Sequence, residues 1–273
     1  MSIDLSKVNN RINELAELIN EKRVNEYTGN LRVGVDLGTA NIVLIAIDDT
    51  GKPIAGALYP ANVVKDGLVI DYIGAIRIVE KLKKDVEDLV GITLTYSATA
   101  MPPGTTDGNL KAFSNVLEAA DLKVTAVVNE PTAAATLLNV SDGAVVDIGG
   151  GTTGISIFKN GKVIYTADEP TGGTHVNLVI AGSYQISIGK AEKMKNDPSK
   201  KNALYPIIRP VFEKMASIVK KHIEGYQVET IYLVGGTTSF DGIEKVFFET
   251  IGTEIIKPVH PHLITPLGIA FSV

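Results

Sequence analysis

The stretch from Val145 to Phe158, VVDIGGGTTGISIF, constrains the fold most, because it joins an apolar strand to a glycine-rich turn and then to a second strand. Asp147 stands where the first strand emerges, and Gly149 to Gly151 follow it. Glycine lets the backbone approach an anion closely and tolerates positive φ, while Thr152 and Thr153 add hydroxyl donors. The pattern predicts a hairpin that holds phosphate. A tight hairpin in which Asp147 is an ordinary turn residue is the alternative interpretation.

A second segment repeats this plan nearer the N-terminus. Leu31 to Ile47, LRVGVDLGTANIVLIAI, contains an apolar run, then Asp36, then Gly38 and Thr39, and then an apolar return. Two strand-turn-strand units, each with an aspartate beside glycine and threonine, indicate an internal duplication. We therefore expect the two turns to face one ligand.

Composition limits the possible functions. The chain has no cysteine, which excludes disulfides, thiolate metal sites and cysteine nucleophiles. A formal net charge of -5 argues against a general nucleic-acid binder, since such proteins need a basic face. No segment approaches the roughly 20 apolar residues that span a bilayer, and the N-terminus lacks the apolar core of a signal peptide. With 273 residues, 45% of them hydrophobic, we expect a cytoplasmic protein with one large domain or two modest ones.

The N-terminal segment reads as a separate unit. Leu5, Val8, Ile12, Leu15 and Ile19 recur at alternating steps of three and four, which predicts an amphipathic helix of coiled-coil type. A polar linker follows the helix. The helix either packs on its own domain or docks to a partner or a second copy, and the sequence favours neither placement.

The segment NEPTAAA, residues 129–135, ends one predicted strand and begins a helix. Pro131 suits the first turn of a helix, where its missing N–H costs nothing. Glu130 is thereby left at the strand tip and would point into a cleft between the two halves. Its alternative role is only to favour the helix N-terminus electrostatically.

A third strand-glycine junction lies in the second half of the chain. The predicted strand Thr230 to Val234 runs into the glycine pair at 235 and 236, and a helix is predicted from Phe240 to Glu249. Helix N-termini bind anions through free backbone N–H groups. We therefore expect this junction to contact the edge of a nucleotide or a phosphate.

Five segments in this order resemble the motifs of the actin-like ATPase superfamily, which includes DnaK-type chaperones, bacterial actin homologues, sugar kinases and reactivating factors for cobalamin enzymes. The segments are DLGTANIVL at Asp36, NEPTAAA at Asn129, DIGGGTTGISIF at Asp147, LVGGTTSFDGI at Leu233 and PLGIAFSV at Pro266. The resemblance covers nearly everything after the N-terminal helix. It implies an α/β, actin-like ATPase (ribonuclease H-like) fold, in which two similar α/β domains flank a nucleotide cleft.

The same resemblance implies domain boundaries. Residues 1–29 would form the amphipathic N-terminal helix and linker. Residues 30–130 would form the first actin-like domain, completed by a C-terminal helix at 266–273, and residues 131–265 would form the second.

Other features are similar to a narrower family, the chaperone-like proteins of ethanolamine-utilization operons, whose enzymes are housed in a bacterial microcompartment. These features are VVKDGLVIDY at Val63, IGKAEKMK at Ile188 and the long amphipathic N-terminus. They imply an ATP-binding chaperone-like, reactivating or assembly factor in the cytoplasm. Its partner would be a client enzyme or a shell component of the microcompartment rather than a membrane or a nucleic acid. A small-molecule kinase and a filament-forming bacterial actin-like protein are the alternative functions.

The superfamily resemblance implies a site for ATP or ADP with Mg²⁺. Asp36 and Asp147 would hold the metal and its waters, since Mg²⁺ prefers oxygen ligands and keeps several waters. Either aspartate could orient the attacking water, and Glu130 would act through a metal-bound water, so these three are the candidate catalytic residues. The residues expected to contact nucleotide are Gly38, Thr39, Ala40, Gly149, Gly150, Gly151, Thr152, Thr153, Glu192, Lys195, Gly235, Gly236 and Thr237.

One part of the superfamily pattern is missing. In DnaK-type chaperones an inserted subdomain before the first connecting motif carries a lysine that assists hydrolysis, and here that interval is shorter and no lysine aligns with it. Lys65 is interpreted as a solvated turn residue, and His260 and His262 as structural residues of a loop. We therefore expect nucleotide binding with weak Mg-dependent ATPase activity.

Overall fold

The computed structural model describes residues 5–65 and 67–273, whose strands form two five-stranded sheets and one two-stranded hairpin. The strands are β1 (Arg32–Leu37), β2 (Asn41–Ile47), β3 (Pro53–Pro60), β4 (Val64–Lys65), β5 (Leu68–Val69), β6 (Tyr96–Met101), β7 (Lys123–Asn129), β8 (Gly143–Ile148), β9 (Thr153–Lys159), β10 (Lys162–Glu169), β11 (Thr230–Val234) and β12 (Glu254–Ile256).

The two large sheets have the same topology. The first runs in the order β3-β2-β1-β6-β7 and the second in the order β10-β9-β8-β11-β12. In each sheet the first three strands pair antiparallel and the last two join in parallel. This confirms the two similar α/β halves that the repeated aspartate hairpins predicted.

Helices lie on both faces of each sheet. They are α1 (Ser6–Glu21), α2 (Tyr72–Val90), α3 (Asp107–Ala119), α4 (Glu130–Leu138), α5 (Gly173–Tyr184), α6 (Ile188–Lys195), α7 (Lys201–Ile223), α8 (Ile243–Ile251) and α9 (Ile264–Ala270). Three 3-10 segments, Pro198–Lys200, Gly236–Ser239 and Pro261–Leu263, connect them. Helices α2 and α3 cover the outer face of the first sheet, and α5 to α8 cover the outer face of the second.

Helices α4 and α9 fill the layer between the two sheets, together with α1. Successive side chains of β2 point to opposite faces of the sheet, and both faces are covered, which explains why this strand is apolar throughout. Leu44 packs under α2 while Val43 and Ile45 face the inner layer, so both faces of the strand are buried.

Glycine allows the inner helices to approach closely. A β-carbon placed on Gly268 of α9 would lie 2.1 Å from the Ala133 carbonyl oxygen of α4. A β-carbon placed on Gly34 of β1 would lie 2.5 Å from the Ala270 nitrogen. Helix α9 therefore packs directly on the backbone of β1 and of α4, and it joins the two halves of the molecule.

Helix α1 folds back on its own chain. Val8, Ile12 and Leu15 are buried in the inner layer, and the Val259 N–H donates to Asn9 Oδ1 at 3.2 Å. Of the two placements that the sequence left open, the structure therefore has the helix against its own domain. Residues 1–4 of the predicted helical segment lie outside the described residues.

Candidate functional site

The turns of the two aspartate hairpins face each other across one cleft. A β-carbon placed on Gly150, in the β8-β9 turn, would lie 3.1 Å from Thr39 Cβ in the β1-β2 turn. The cleft contains about 770 Å³ of empty space. Twelve of the candidate residues line it: Asp36, Gly38, Thr39, Ala40, Glu130, Asp147, Gly149, Gly150, Gly151, Thr152, Gly235 and Gly236. The structure thus brings together residues that lie far apart in the chain.

Gly235 closes the cleft where β11 ends. Its φ is +93°, and a β-carbon at this position would lie 2.5 Å from the Ile148 carbonyl oxygen and against Asp147 Oδ1. Only glycine fits this conformation and this contact. The third strand-glycine junction therefore reaches the same cleft as the two hairpins.

The helix predicted from Phe240 to Glu249 begins three residues later in the structure, as α8 from Ile243. The 3-10 segment Gly236–Ser239 lies between Gly235 and this helix. Two hydroxyls hold the segment in place. Thr238 Oγ1 donates to the Gly235 carbonyl at 2.8 Å, and Thr237 Oγ1 donates across to the Gly149 carbonyl at 2.7 Å. Such side-chain bonds to the backbone compete with helix formation.

Three carboxylates from different elements meet in the cleft. Asp36 lies on β1, Asp147 on β8, and Glu130 is the first residue of α4. Burial, and then the charge of Asp147, raises the pKa of Asp36 to about 7. Burial also raises the pKa of Asp147 to about 6, although a hydrogen bond from the Thr265 hydroxyl opposes the rise. The pKa of Glu130 is raised well above its usual range by burial and by Asp147, Asp36 and then Asp168.

A fourth carboxylate, Asp168 on β10, belongs to the same electrostatic group. Burial raises its pKa to about 6, with a hydrogen bond from Thr152 acting against the rise and the charge of Asp147 adding to it. The sequence analysis did not identify Asp168, because no glycine turn or family motif stands beside it. The cleft therefore concentrates acidic groups in a poorly solvated place, where a cation would be favoured.

The oxygen donors of the cleft fit a hydrated magnesium ion. Carboxylates are the ligands that Mg²⁺ prefers, and Mg²⁺ in nucleotide sites uses one or two carboxylates and keeps several waters. Among residues 5–65 and 67–273, no set of three or more histidine, cysteine, aspartate or glutamate side chains is arranged to hold a metal alone. This arrangement suits a metal that takes part of its coordination from water and phosphate.

A second pocket adjoins the cleft at Gly236 and continues along the second sheet. Its apolar walls are Val176, Phe212 and Phe240, and the candidate residue Lys195 stands among the polar groups at its edge. Burial lowers the pKa of the Lys195 ammonium, and the charge of Glu192 opposes that effect. Thr237 also lines this pocket. Glu192 does not line it, but its charge acts on Lys195, which does.

Thr153, like Glu192, is a candidate residue that lines neither pocket. It is buried in β9, and its hydroxyl donates to the Thr171 carbonyl oxygen at 2.5 Å. Its side chain therefore connects two strand ends behind the cleft. The first threonine of the pair, Thr152, is the one that lines the cleft.

Polar and proline residues that the sequence did not mark as functional also line the cleft, among them Pro102, Thr265 and His262. His262 was interpreted as structural, yet it lines the cleft beside Thr265. Its burial and the nearby charge of His260 lower its pKa to about 4, so the imidazole is neutral near pH 7. Pro102 directly follows β6 and belongs to none of the five motifs, so only the fold places it in the cleft.

Comparisons with known proteins agree with this architecture. The family profile described as "Cell division protein FtsA" matches residues 144–268, and the profile described as "Hsp70 protein" matches residues 68–205. None of the helices in the described part of the chain is long and apolar enough to cross a membrane.

The chain is 42% identical over 263 residues to the ethanolamine utilization protein EutJ of Salmonella typhimurium strain LT2, covering 96% of this chain and 92% of that protein. The crystal structure of the ethanolamine utilization protein EutJ from Carboxydothermus hydrogenoformans is similar with a TM-score of 0.93 and 50% identity, over 97% of each chain. The crystal structure of MreB5 of Spiroplasma citri bound to ADP matches with a TM-score of 0.68 and 18% identity, over 86% of this chain and 94% of that one. That last likeness shows the actin-like ATPase fold.

Proposed function

The chain belongs to the EutJ family of ethanolamine utilization proteins, and on that premise we propose that it binds ATP and ADP with Mg²⁺ in the cleft between its two sheets. The observation that carries the proposal is the meeting of two glycine-threonine turns around buried carboxylates. A polyphosphate with a hydrated cation would bind to the turns and to the carboxylates at the same time. The turns offer N–H and hydroxyl donors to the phosphates, and the carboxylates offer oxygens to the cation.

Each cleft residue has a defined part in this proposal. The backbone N–H groups of Gly38 and of Gly149 to Gly151 donate to phosphate oxygens, together with the hydroxyls of Thr39 and Thr152. Asp36 and Asp147 hold the cation and its waters. When bound there, Mg²⁺ would supply positive charge that neutralises phosphate oxygens during hydrolysis.

The adjoining pocket would take the adenosine end of the nucleotide. Val176, Phe212 and Phe240 offer apolar walls for a purine. Lys195 and Thr237 offer polar groups for the ribose or the phosphates, with Glu192 behind Lys195. The ADP complex of MreB5, which has the same fold, supports nucleotide binding by this architecture.

Hydrolysis is expected to be slow. Lys65, on the short hairpin beside the cleft, is exposed, while Val64 next to it lines the cleft. The hairpin therefore turns its lysine to solvent. Glu130 is the remaining group that would hold a water, since it lies in the cleft beside Asp147 and Asp36, whose charges and its own burial raise its pKa well above the usual range. We infer that the bound nucleotide acts mainly as a conformational signal.

We propose further that this signal regulates a chaperone-like or assembly function toward an enzyme or shell protein of an ethanolamine-utilization microcompartment. Family membership supports the context, and the two halves joined through α9 support a domain closure that depends on nucleotide. The test is affinity capture with ATP or ADP from cells that express the ethanolamine-utilization proteins. Capture of an identified enzyme or shell protein of that system should change with the nucleotide. Capture that is equal with ATP, ADP and no nucleotide would contradict the regulatory role.

The nucleotide site is tested by calorimetric titration with MgATP and MgADP. We expect the parent protein to bind both and the Gly150→Val variant to bind neither, because the new side chain would occupy the space next to Thr39. Asp147→Asn should weaken binding in the presence of Mg²⁺ more than in its absence. Gly182→Val is the matched control, since a β-carbon at this exposed helical glycine meets no atom within 4 Å. A parent protein that binds neither nucleotide would contradict the proposal.

A further inference from the structure

Asp147 and Asp168 stand in one row across the second sheet, with Gly154 between them. Asp147 of β8 pairs with Gly154 of β9, and Gly154 pairs in turn with Asp168 of β10. Directly paired residues point to the same face of a sheet, and neighbouring strands lie about 4.8 Å apart. The two carboxylates therefore project from the same face on either side of a glycine, with roughly 10 Å between their strands.

Helix α4 begins directly over that glycine. A β-carbon on Gly154 would lie 3.1 Å from Pro131 Cγ and 3.3 Å from Pro103 Cδ, so position 154 has no room for a side chain of its own. Glu130 immediately precedes Pro131 and is thereby placed beside the row. Its carboxylate interacts electrostatically with both Asp147 and Asp168. Asp168 thus reaches the acidic group of the cleft from the outermost strand of the sheet.

The fold itself does not provide enough hydrogen-bond donors for the Asp168 carboxylate. Its Oδ1 atom is buried and accepts no hydrogen bond from the described residues. Besides the Thr152 hydroxyl, the groups that act on it are the carboxylates of Asp147 and Glu169. A buried acceptor without a donor is costly, so it indicates a partner such as an ordered water or a hydrated ion.

Glu169, the next residue along β10, does have a partner within the fold. Glu169 points to the other face of β10, where its Oε1 atom lies 2.8 Å from His222 Nε2, and His222 Nδ1 lies 2.7 Å from the Tyr165 hydroxyl. Glu169 Oε1 therefore has a structural partner on α7, and that partner is itself held by Tyr165 of β10. Asp168 and Glu169, which are neighbours on one strand, thus differ in whether the fold provides partners for their buried carboxylate oxygens.

We propose that Asp168 is a positioning residue that accepts hydrogen bonds from the water shell of the divalent cation held by Asp36 and Asp147. The proposal rests on the proposed nucleotide function for the presence of that cation. Asp168 also fixes the Thr152 hydroxyl, which lines the cleft, and so couples the cation's outer waters to one of the phosphate turns.

The test compares Asp168→Asn with Glu169→Gln, which is its neighbour on the opposite face of the same strand. Mn²⁺ serves as the probe, and free Mn²⁺ is measured by electron paramagnetic resonance with and without ADP. We expect Asp168→Asn to weaken Mn²⁺ binding roughly tenfold, as losing an outer-shell acceptor typically does, and Glu169→Gln to leave it unchanged. Melting temperatures without cation provide the second readout. Asp168→Asn should raise the melting temperature by removing a buried charge without a cationic partner, whereas Glu169→Gln should lower it.

Each outcome decides the proposal. Equal Mn²⁺ binding by the parent and Asp168→Asn would overturn it, and so would a lower melting temperature of Asp168→Asn, which would make the residue structural. If the parent binds Mn²⁺ but not ADP, the proposed nucleotide function fails, while the comparison with Mn²⁺ alone still decides the role of Asp168. If the parent binds no Mn²⁺, both the cation site and the role of Asp168 are overturned.

Discussion

The Thr265 hydroxyl donates a hydrogen bond to Asp147 Oδ2. Thr265 belongs to α9, which packs on the backbone of β1 in the first sheet, whereas Asp147 ends β8 in the second sheet. The orientation of one cleft carboxylate is therefore controlled by the helix that joins the two halves. A movement of one half relative to the other would reach the cation site through this bond.

Replacing Thr265 by valine should weaken both stability and Mg²⁺-dependent nucleotide binding. The loss of one hydrogen bond to a charged group costs about 1.5–3 kcal/mol of unfolding free energy, and Asp147 would lose its fixed orientation. Denaturant unfolding and calorimetry with MgADP measure the two effects. Thr125→Val is the control, because the Thr125 hydroxyl donates to the Ser97 backbone carbonyl oxygen, away from the cleft, rather than to a cleft carboxylate. Equal nucleotide binding by the Thr265 variant and the parent would contradict the coupling.

Replacing Lys195 by alanine should reduce ADP affinity by about tenfold, which corresponds to about 1.4 kcal/mol. The Lys195 side chain is half-buried at the edge of the second pocket, where the phosphates of a nucleotide would add anionic groups to the nearby charge of Glu192. Calorimetric titration measures the change. Lys193→Ala removes an exposed lysine from the same helix and should leave the affinity unaltered. If both variants lose affinity alike, the effect is general electrostatics rather than a contact in the pocket.

The cation-free protein should be less stable at pH 8 than at pH 5. The pKa values of Asp36, Asp147 and Asp168 are raised to about 7, 6 and 6 by burial, so the folded state binds protons more tightly than the unfolded state. The stability from these groups is fully present below their ordinary pKa near 4 and is lost as the pH rises through 6 and 7. Melting curves should show a decline of several degrees, since 1 kcal/mol corresponds to about 2–4 °C at this size.

Saturating Mg²⁺ should reduce this decline, because a bound cation favours the deprotonated carboxylates. Asp147→Asn should make the decline of the melting temperature between pH 5 and pH 8 smaller even without Mg²⁺. A melting temperature that is constant or that rises between pH 5 and pH 8 without cation would show that the acidic group does not control stability in this range.

Replacing Ile12 by alanine should destabilise the protein by about 2–5 kcal/mol, as for other fully buried aliphatic side chains. Ile12 is fully buried in the layer between the sheets, so its removal leaves a cavity against the body of the protein. Urea unfolding measures the effect. Asn13→Ala, on the exposed side of α1, should change stability by less than about 0.5 kcal/mol. An Ile12 variant as stable as the parent would mean that α1 does not pack on its own domain in solution.

The sequence predicted the parts of the fold and of the cleft that are encoded locally. Asp36 and Asp147 could be identified because each stands between an apolar run and a glycine-threonine turn, and the repeat of that pattern implied that both turns face one ligand. Glu130 could be identified for a similar reason, since a strand end and a helix start meet around it. The similar topology of both sheets confirms the two similar halves that this repeat predicted.

The cleft residues that the sequence did not identify come into the cleft through contacts between segments that lie far apart in the chain. Asp168 reaches the cleft only through the pairing of β10 with β9, and a strand that reads KVIYTADE has no local mark of this. Thr265 reaches Asp147 only because α9 crosses between the sheets. In the 3-10 segment after Gly235, the hydroxyls of Thr237 and Thr238 donate to the carbonyl oxygens of Gly149 and Gly235. Periodicity and motifs cannot predict such contacts.

The contact between Asn9 and Val259 joins residues that are 250 positions apart, and it has a consequence for biosynthesis. Helix α1 is synthesised before α9, but the layer that buries it also contains Leu267 and Ala270 of α9. Until those residues emerge from the ribosome, the nascent chain carries the apolar inner face of β2 without its full cover. The first half therefore reaches its final packing only after α9 has been synthesised.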